Sequence, residues 1–225
     1  MLDKRICLML KIAFIGYRSW AKEIYTNVQS KRELEVLSIL SKDDFSEQKI
    51  INFNPDLVLF YGWSWIIEED LLVRFKCLML HPSPLPKYRG GSPIQNQIIS
   101  GEVKSKVSIF IMNNAMDAGD LVGQSNYSLE GSLDSIFERI ISRGTALTLD
   151  IIDNGLKPVK QDHKEATYCK RRKPEESEIT LSEIKNKDSI YIYNKIRMLA
   201  DPYPNAFIKT IDGKKIFIKD AFIVD

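Results

Sequence analysis

The residues best suited to chemistry lie between Cys77 and Gly91, CLMLHPSPLPKYRGG, where a short apolar run ends on His81 and breaks into prolines and glycines. Histidine ordinarily titrates between pH 5 and 8, so a histidine delivered to a rigid loop can take and return a proton near neutrality. The run Cys77-Leu78-Met79-Leu80 does not alternate, which allows a central parallel strand or a buried helical turn. Pro82, Pro84 and Pro86 exclude helical continuation and favour the strand. In open α/β sheets ligands bind beyond the carboxyl ends of the strands, and His81 stands at such an end. A satisfied histidine in a turn is the alternative. Farther on, NNAMDAGD places Asp117 and Asp120 in a glycine-bearing turn. Tyr61 to Trp65, YGWSW, sets a glycine between aromatics, which permits close approach by a flat ligand or plain aromatic packing under a loop.

The elements that must hold these residues alternate. Strands are expected at 10–15, 34–40, 57–60, 77–81, 107–112 and 121–127. Helices are expected at 19–28 with Ser19 as cap, 45–53, 68–75, 93–100 with Ser92 as cap, and 132–154 with a serine cap. This alternation predicts a doubly wound, mostly parallel α/β sheet. GYRSWA after the first strand has one glycine, so the dinucleotide fingerprint is absent and a different ligand is expected on the sheet. The polar stretch 157–178, with KRRKPEESE at its centre, reads as a solvated connection and a boundary. Beyond it, a helix from Asp188 to about Ala200 and a hairpin around Asp212-Gly213 form a C-terminal appendage. The expected organisation is an extension at 1–8, a catalytic domain at 9–178 and a C-terminal region at 179–225.

Composition narrows the partners. With 44% hydrophobic residues the 225-residue chain can bury a substantial core. Its 32 Lys and Arg against 30 Asp and Glu are too balanced for a dedicated nucleic-acid binder or a membrane-surface protein, so a small-molecule partner is expected. Cys7, Cys77 and Cys169 have neither disulfide-framework nor zinc spacing, which fits a reducing cytoplasm. No spanning segment or secretory leader is read.

In chain order, HPSPLPKYRGGSPIQ, SGE, VSIFIMNNAMDAGD, ATYCKRRKPE and IYNKIRMLADPYPNAF resemble the folate-dependent formyltransferases, from about residue 57 to 208. The resemblance implies a Rossmann-like domain that uses 10-formyltetrahydrofolate as formyl donor, without a metal. The family's catalytic histidine matches His81 and its catalytic aspartate matches Asp117. The family asparagine two positions before the histidine is Met79 here, and methionine cannot donate a hydrogen bond to the oxygen of a tetrahedral intermediate. The resemblance places the folate along Tyr61, Gly62, Trp63, Ser64, Trp65 and Pro82. The YGWSW, KYRGGSPIQ and KRRKPEESEI elements look most like the sugar formyltransferases. The expected acceptor is therefore a nucleotide-linked amino sugar, a dTDP-4-amino-4,6-dideoxyhexose for surface polysaccharide such as O-antigen, held by Lys87, Tyr88, Arg89, Gln95 and Asn96. Transfer RNA is disfavoured, because methionyl-tRNA formyltransferases carry a further C-terminal domain and about 45 residues follow Glu178. A non-catalytic folate or nucleotide-sugar binder, and a formyltransferase for another amine such as glycinamide ribonucleotide, are the rivals. Ile208, Ile211, Ile216 and Ile218 on the hairpin suggest a homodimer through the C-terminal region.

Overall fold

The structure is a computed structural model that describes residues 9–224; the expected extension at 1–8 lies outside the described residues. The chain forms two compact units. The first takes the residues up to His81 with Ser108–Ser125 and Ile141–Gln161, and the second takes Pro82–Val107, Asn126–Ile140 and the chain from Asp162 onward.

The first unit is built on β1 (Lys11–Ile15), α1 (Ser19–Gln29), β2 (Glu35–Ile39), α2 (Glu47–Phe53), β3 (Leu57–Tyr61), α3 (Glu69–Arg74) and β4 (Cys77–His81). With β6 (Lys104–Ile111) and β7 (Leu121–Ser128) these strands make a six-stranded sheet in the order β2-β1-β3-β4-β6-β7. β2, β1, β3 and β4 are parallel, and β6 is antiparallel to β4. The expected doubly wound, mostly parallel sheet is therefore present.

Its central strands are apolar on both faces because both faces are covered. One face carries Ala13, Ile15, Val58, Phe60 and Cys77, packed with Ile50 of α2 and Leu71 of α3. On the other face α1 closes down through Tyr25, whose ring stacks on Phe14 at 4.4 Å. The Tyr25 hydroxyl lies 2.9 Å from the carbonyls of both Ile15 and Leu59 and accepts the Tyr61 backbone N–H at 2.9 Å. One hydroxyl hydrogen serves the two carbonyls, and burial holds the phenol well above its usual pKa. The helix α5 (Leu133–Asn154) joins this face at Thr148, which pairs with the Tyr61 hydroxyl at 3.0 Å. Gly144 lets α5 approach so closely, since a Cβ there would lie 2.6 Å from Ile24 and 2.8 Å from Leu80.

Two caps differ from expectation. α1 starts on Ser19 itself behind Arg18, with no side-chain cap. Ser92 precedes α4 (Pro93–Ile99) at φ 49° and does not cap it; its hydroxyl accepts the Arg172 backbone N–H instead. The expected Ser132 cap is made to Ser135 N at 3.2 Å.

In the second unit β5 (Arg89–Gly90) pairs in parallel with β8 (Tyr168–Cys169), so part of the charged stretch is ordered by strand pairing as well as solvated. The helix α6 (Leu181–Asn186), not foreseen, is started by a capping box between Thr180 and Glu183. α7 (Ser189–Arg197) carries the expected Asp188 cap, with Oδ1 accepting from Tyr191 N at 2.7 Å. The Asp-Gly hairpin joins β9 (Ala206–Lys209) and β10 (Lys215–Ile218), with Gly213 at φ 78°. Ile211, Ile216 and Phe217 of this hairpin are exposed.

Replacing Tyr25 by Phe keeps the ring stack but strands the Tyr61 N–H in the interior. We expect a loss of about 1 to 3 kcal/mol, read from urea denaturation.

Candidate active site

His81 is the last residue of β4 and is buried opposite Ser108 of β6. Strand alternation puts Cys77, Met79 and His81 on one face. Met79, opposite Phe110, packs half-buried against the apolar cluster of that face. Ser108 is fully buried, and its hydroxyl accepts from the Gln124 amide at 2.9 Å. The His81 end of the sheet is thus polar while the positions before it are not.

Asp117 reaches this histidine by an indirect route. β6 leaves the sheet at Ile111, opposite Leu78, three positions before His81. At roughly 3.3 Å per residue the turn after β6 must return about 10 Å along β4. It does so with Asp117 in the left-handed region at φ 49° and with Ile111 N bound to Asp120 O at 2.9 Å. Gly119 is obligatory, because a Cβ there would lie 1.7 Å from the Ile111 carbonyl oxygen. The Asp117 carboxylate ends 3.6 Å from His81 Nδ1, with side-chain exposures of 12% and 7%. That distance is longer than a hydrogen bond and short enough for an ion pair whenever the imidazole is protonated. The arrangement can hold an imidazole by one nitrogen while the other accepts a proton. Asp120 contributes its backbone to the turn.

Gln161 was not singled out from sequence. Leu121 and Val159 exchange both backbone hydrogen bonds at 2.8 Å, and this bridge delivers Gln161, whose buried amide donates to Asp117 O at 3.0 Å and Gly119 O at 2.7 Å. A glutamine inside a charged, aperiodic stretch carries no sequence signal for this.

The YGWSW segment divides. The Tyr61 side chain belongs to the core, fully buried and bonded to Thr148, which removes it from ligand stacking. Gly62 turns the chain at φ 63°. Trp63 is buried among Tyr17, Phe45 and Trp65, so aromatic packing holds for this ring. Its indole N–H is nonetheless a buried donor with no acceptor among the described residues. Ser64 is exposed and bonds Tyr17 at 2.9 Å, and Trp65 is half-buried.

In the second unit, the Pro82 carbonyl accepts from Gln97 at 2.9 Å and Tyr127 at 3.2 Å, which fixes the peptide that follows His81. Gln97 lies on the apolar stripe of α4 with Ile94 and Ile98, and a polar residue on such a stripe was the available signal. Lys87 is exposed. The Tyr88 hydroxyl donates to Glu102 at 2.8 Å. Arg89 departs from expectation: it is 1% exposed, with its guanidinium on the Tyr168 hydroxyl at 3.1 Å and His163 Nδ1 at 3.2 Å, so it ties β5 to the 163–168 segment instead of presenting a surface cation. The Asn96 amide is engaged by the Gly91 and Lys170 carbonyls, while Gln95 Nε2 is buried without a partner among the described residues. Among the described residues no group of three His, Cys, Asp or Glu side chains could hold a metal.

Residues 18–140 match the family model described as formyl transferase. The methionyl-tRNA formyltransferase of Ehrlichia canis is 31% identical over 191 residues, covering 82% of this chain and 60% of that protein. The methionyl-tRNA formyltransferase of Ligilactobacillus salivarius is 34% identical over 176 residues, covering 75% and 54%. The chain thus spans about 54 to 60% of the length of these curated relatives. A solved methionyl-tRNA formyltransferase from Clostridium thermocellum superposes with a TM-score of 0.82 at 32% identity, covering 93% of this chain and 97% of that one. A 4-N formyltransferase from Francisella tularensis shares the fold, with a TM-score of 0.77 at 19% identity over 96% and 99% of the two chains.

Proposed function

The chain belongs to the formyl transferase family, and from that membership we propose that it moves the formyl group of 10-formyltetrahydrofolate onto a primary amine. The observation that carries this reading is the contact of buried His81 with Asp117 at the end of β4. A neutral amine attacks the formyl carbon and the carbonyl π pair moves to oxygen. His81 takes the amine proton, the bond from the formyl carbon to the folate nitrogen then breaks, and that nitrogen leaves with a proton. The Asp117 carboxylate faces the imidazolium formed on the way. Trp63, with its unpartnered buried N–H, and the accessible Ser64 and Trp65 suit an acceptor-bearing flat ring such as a pteridine.

For the acceptor, the motifs favour a nucleotide-linked amino sugar, with exposed Lys87 as the pyrophosphate contact. The buried guanidinium of Arg89 is withdrawn from that role. A second reading, the α-amine of methionyl-tRNA, is favoured by relatives of that name at 31 and 34% identity. Mass spectrometry of products from a panel of dTDP- and UDP-amino sugars, glycinamide ribonucleotide and methionyl-tRNA, each with 10-formyltetrahydrofolate, separates them. No formylated product from any acceptor would remove the proposal.

His81→Ala and Asp117→Ala should each lower turnover by about 100-fold or more, the low end for a positioned acid–base group, with the thermal melt retained. Activity within a few-fold of wild type for either variant counts against these roles.

Met79→Asn tests the departure from the family pattern. Met79 sits in apolar packing, so the amide is expected to cost about 1 to 3 kcal/mol of stability without a rate gain. A rise of about 10²-fold in kcat/KM at an unchanged melting temperature would instead identify Met79 as a lost oxyanion donor.

The exposed apolar residues of the hairpin support a homodimer through the C-terminal region. Light scattering at micromolar concentration is expected to give twice the chain mass, and a single-chain mass rejects it.

A further inference from the structure

Resting on the formyl-transfer reading for its kinetic arm, we propose that Gln161 is a positioning residue that holds the Asp117 carboxylate against His81. The turn carrying Asp117 has travelled about 10 Å back along β4 and is anchored to the sheet at its ends, through Ile111 N to Asp120 O. Asp117 itself sits in the left-handed region, and Gly119 has no side chain with which to pack. Within this turn, Ala118 N bonds Ala115 O at 3.3 Å and Ala115 N bonds the Asn113 side chain at 3.0 Å, contacts that lie wholly inside the turn and cannot fix it relative to His81. The Gln161 amide can. Its two hydrogens go to the carbonyls of Asp117 and Gly119, which straddle one residue, so both translation and tilt of that segment are set. Two residues before it, the backbone is fixed to β7 through the Leu121–Val159 bridge. The residue is 5% exposed, so water does not replace its amide readily. A shift of about 1 Å in a catalytic group can cost about 10²-fold in rate.

The test uses Gln161→Met, which keeps the bulk and removes both donors, and Gln161→Glu. The first readout needs no turnover. The chain has two histidines, His81 and His163, so the His81 imidazole nitrogens can be assigned by ¹⁵N NMR with His81→Ala as control. In Gln161→Met the His81 signals should move toward those of Asp117→Ala. The second readout is kinetic: kcat should fall about 10²-fold while KM for the formyl donor stays within about threefold. The third is the pH dependence of Gln161→Glu. As a carboxylate it repels both carbonyls, and when protonated it restores one donor, so its kcat relative to wild type should recover as pH falls while that of Gln161→Met does not. Unchanged His81 signals and unchanged kcat in Gln161→Met would overturn the proposal. Loss of the native circular dichroism spectrum in both variants would assign Gln161 to holding the chain and overturn it equally. If the wild type formylates no acceptor, the reading of function fails, and the NMR comparison still decides whether Gln161 sets the His81–Asp117 contact.

Discussion

Because β6 runs antiparallel to β4, the chain leaves the sheet beside Leu78 and not beside His81, and every feature of the acidic turn follows from the need to come back. The return takes a left-handed residue at Asp117, a residue without Cβ at Gly119 and an external clamp at Gln161. Aspartate is among the few residues other than glycine that enter the left-handed region at modest cost, so the position suits the side chain it carries. The backbone constraint and the carboxylate therefore meet in one residue.

The rigidity of the histidine end has a different source. β3 and β4 are apolar on both faces, and their burial from two sides fixes the strand that ends on His81. Two hydroxyls buried against this sheet are paired: that of Tyr25 serves Ile15, Leu59 and Tyr61, and that of Thr148 serves Tyr61. Such pairing matters because an unpaired buried group costs more than the net gain from a made bond. Just past His81, the carbonyl of Pro82 accepts two side-chain donors, so the peptide that leaves the strand is held by Gln97 and Tyr127.

What could be read from the residues alone follows from the length scale of the signal. Continuous apolar runs announced β1, β3 and β4, an Asp-Gly pair announced the last hairpin, and the order of motifs matched His81 and Asp117, which the structure brings to 3.6 Å. The serine caps failed at Ser19 and Ser92, where cap preference competes with chain geometry; at φ 49° the Ser92 hydroxyl turns to Arg172 N. Arg89 read as a phosphate ligand because a cation beside glycines looks exposed. Its burial depends on β5 and β8, a pairing of two residues each across a long sequence separation that leaves no periodic trace. Tyr61 was drawn toward the ligand by its place beside Gly62, yet its strand position sends the ring toward Thr148. Gln161 has no local pattern at all, since its meaning lies in two carbonyls on a turn more than forty positions away.

Met79 shows how one face can change chemistry along a single strand. Cys77 and Met79 pack into the apolar cluster, and two residues later the same face presents a buried histidine opposite Ser108, whose hydroxyl Gln124 engages. Met79 stands opposite Phe60 and packs against a cluster that includes Ala13, Ile15 and Trp63, and these four side chains offer an amide no partner except one indole N–H, itself a donor. Methionine suits that neighbourhood, because an unbranched thioether fills irregular apolar gaps. His81 and Asp117 then stand 3.6 Å apart just beyond the apolar positions of the strand. Partly buried charges interact more strongly than charges in bulk water, so the apolar stretch that ends at Met79 strengthens this contact whenever both groups are charged.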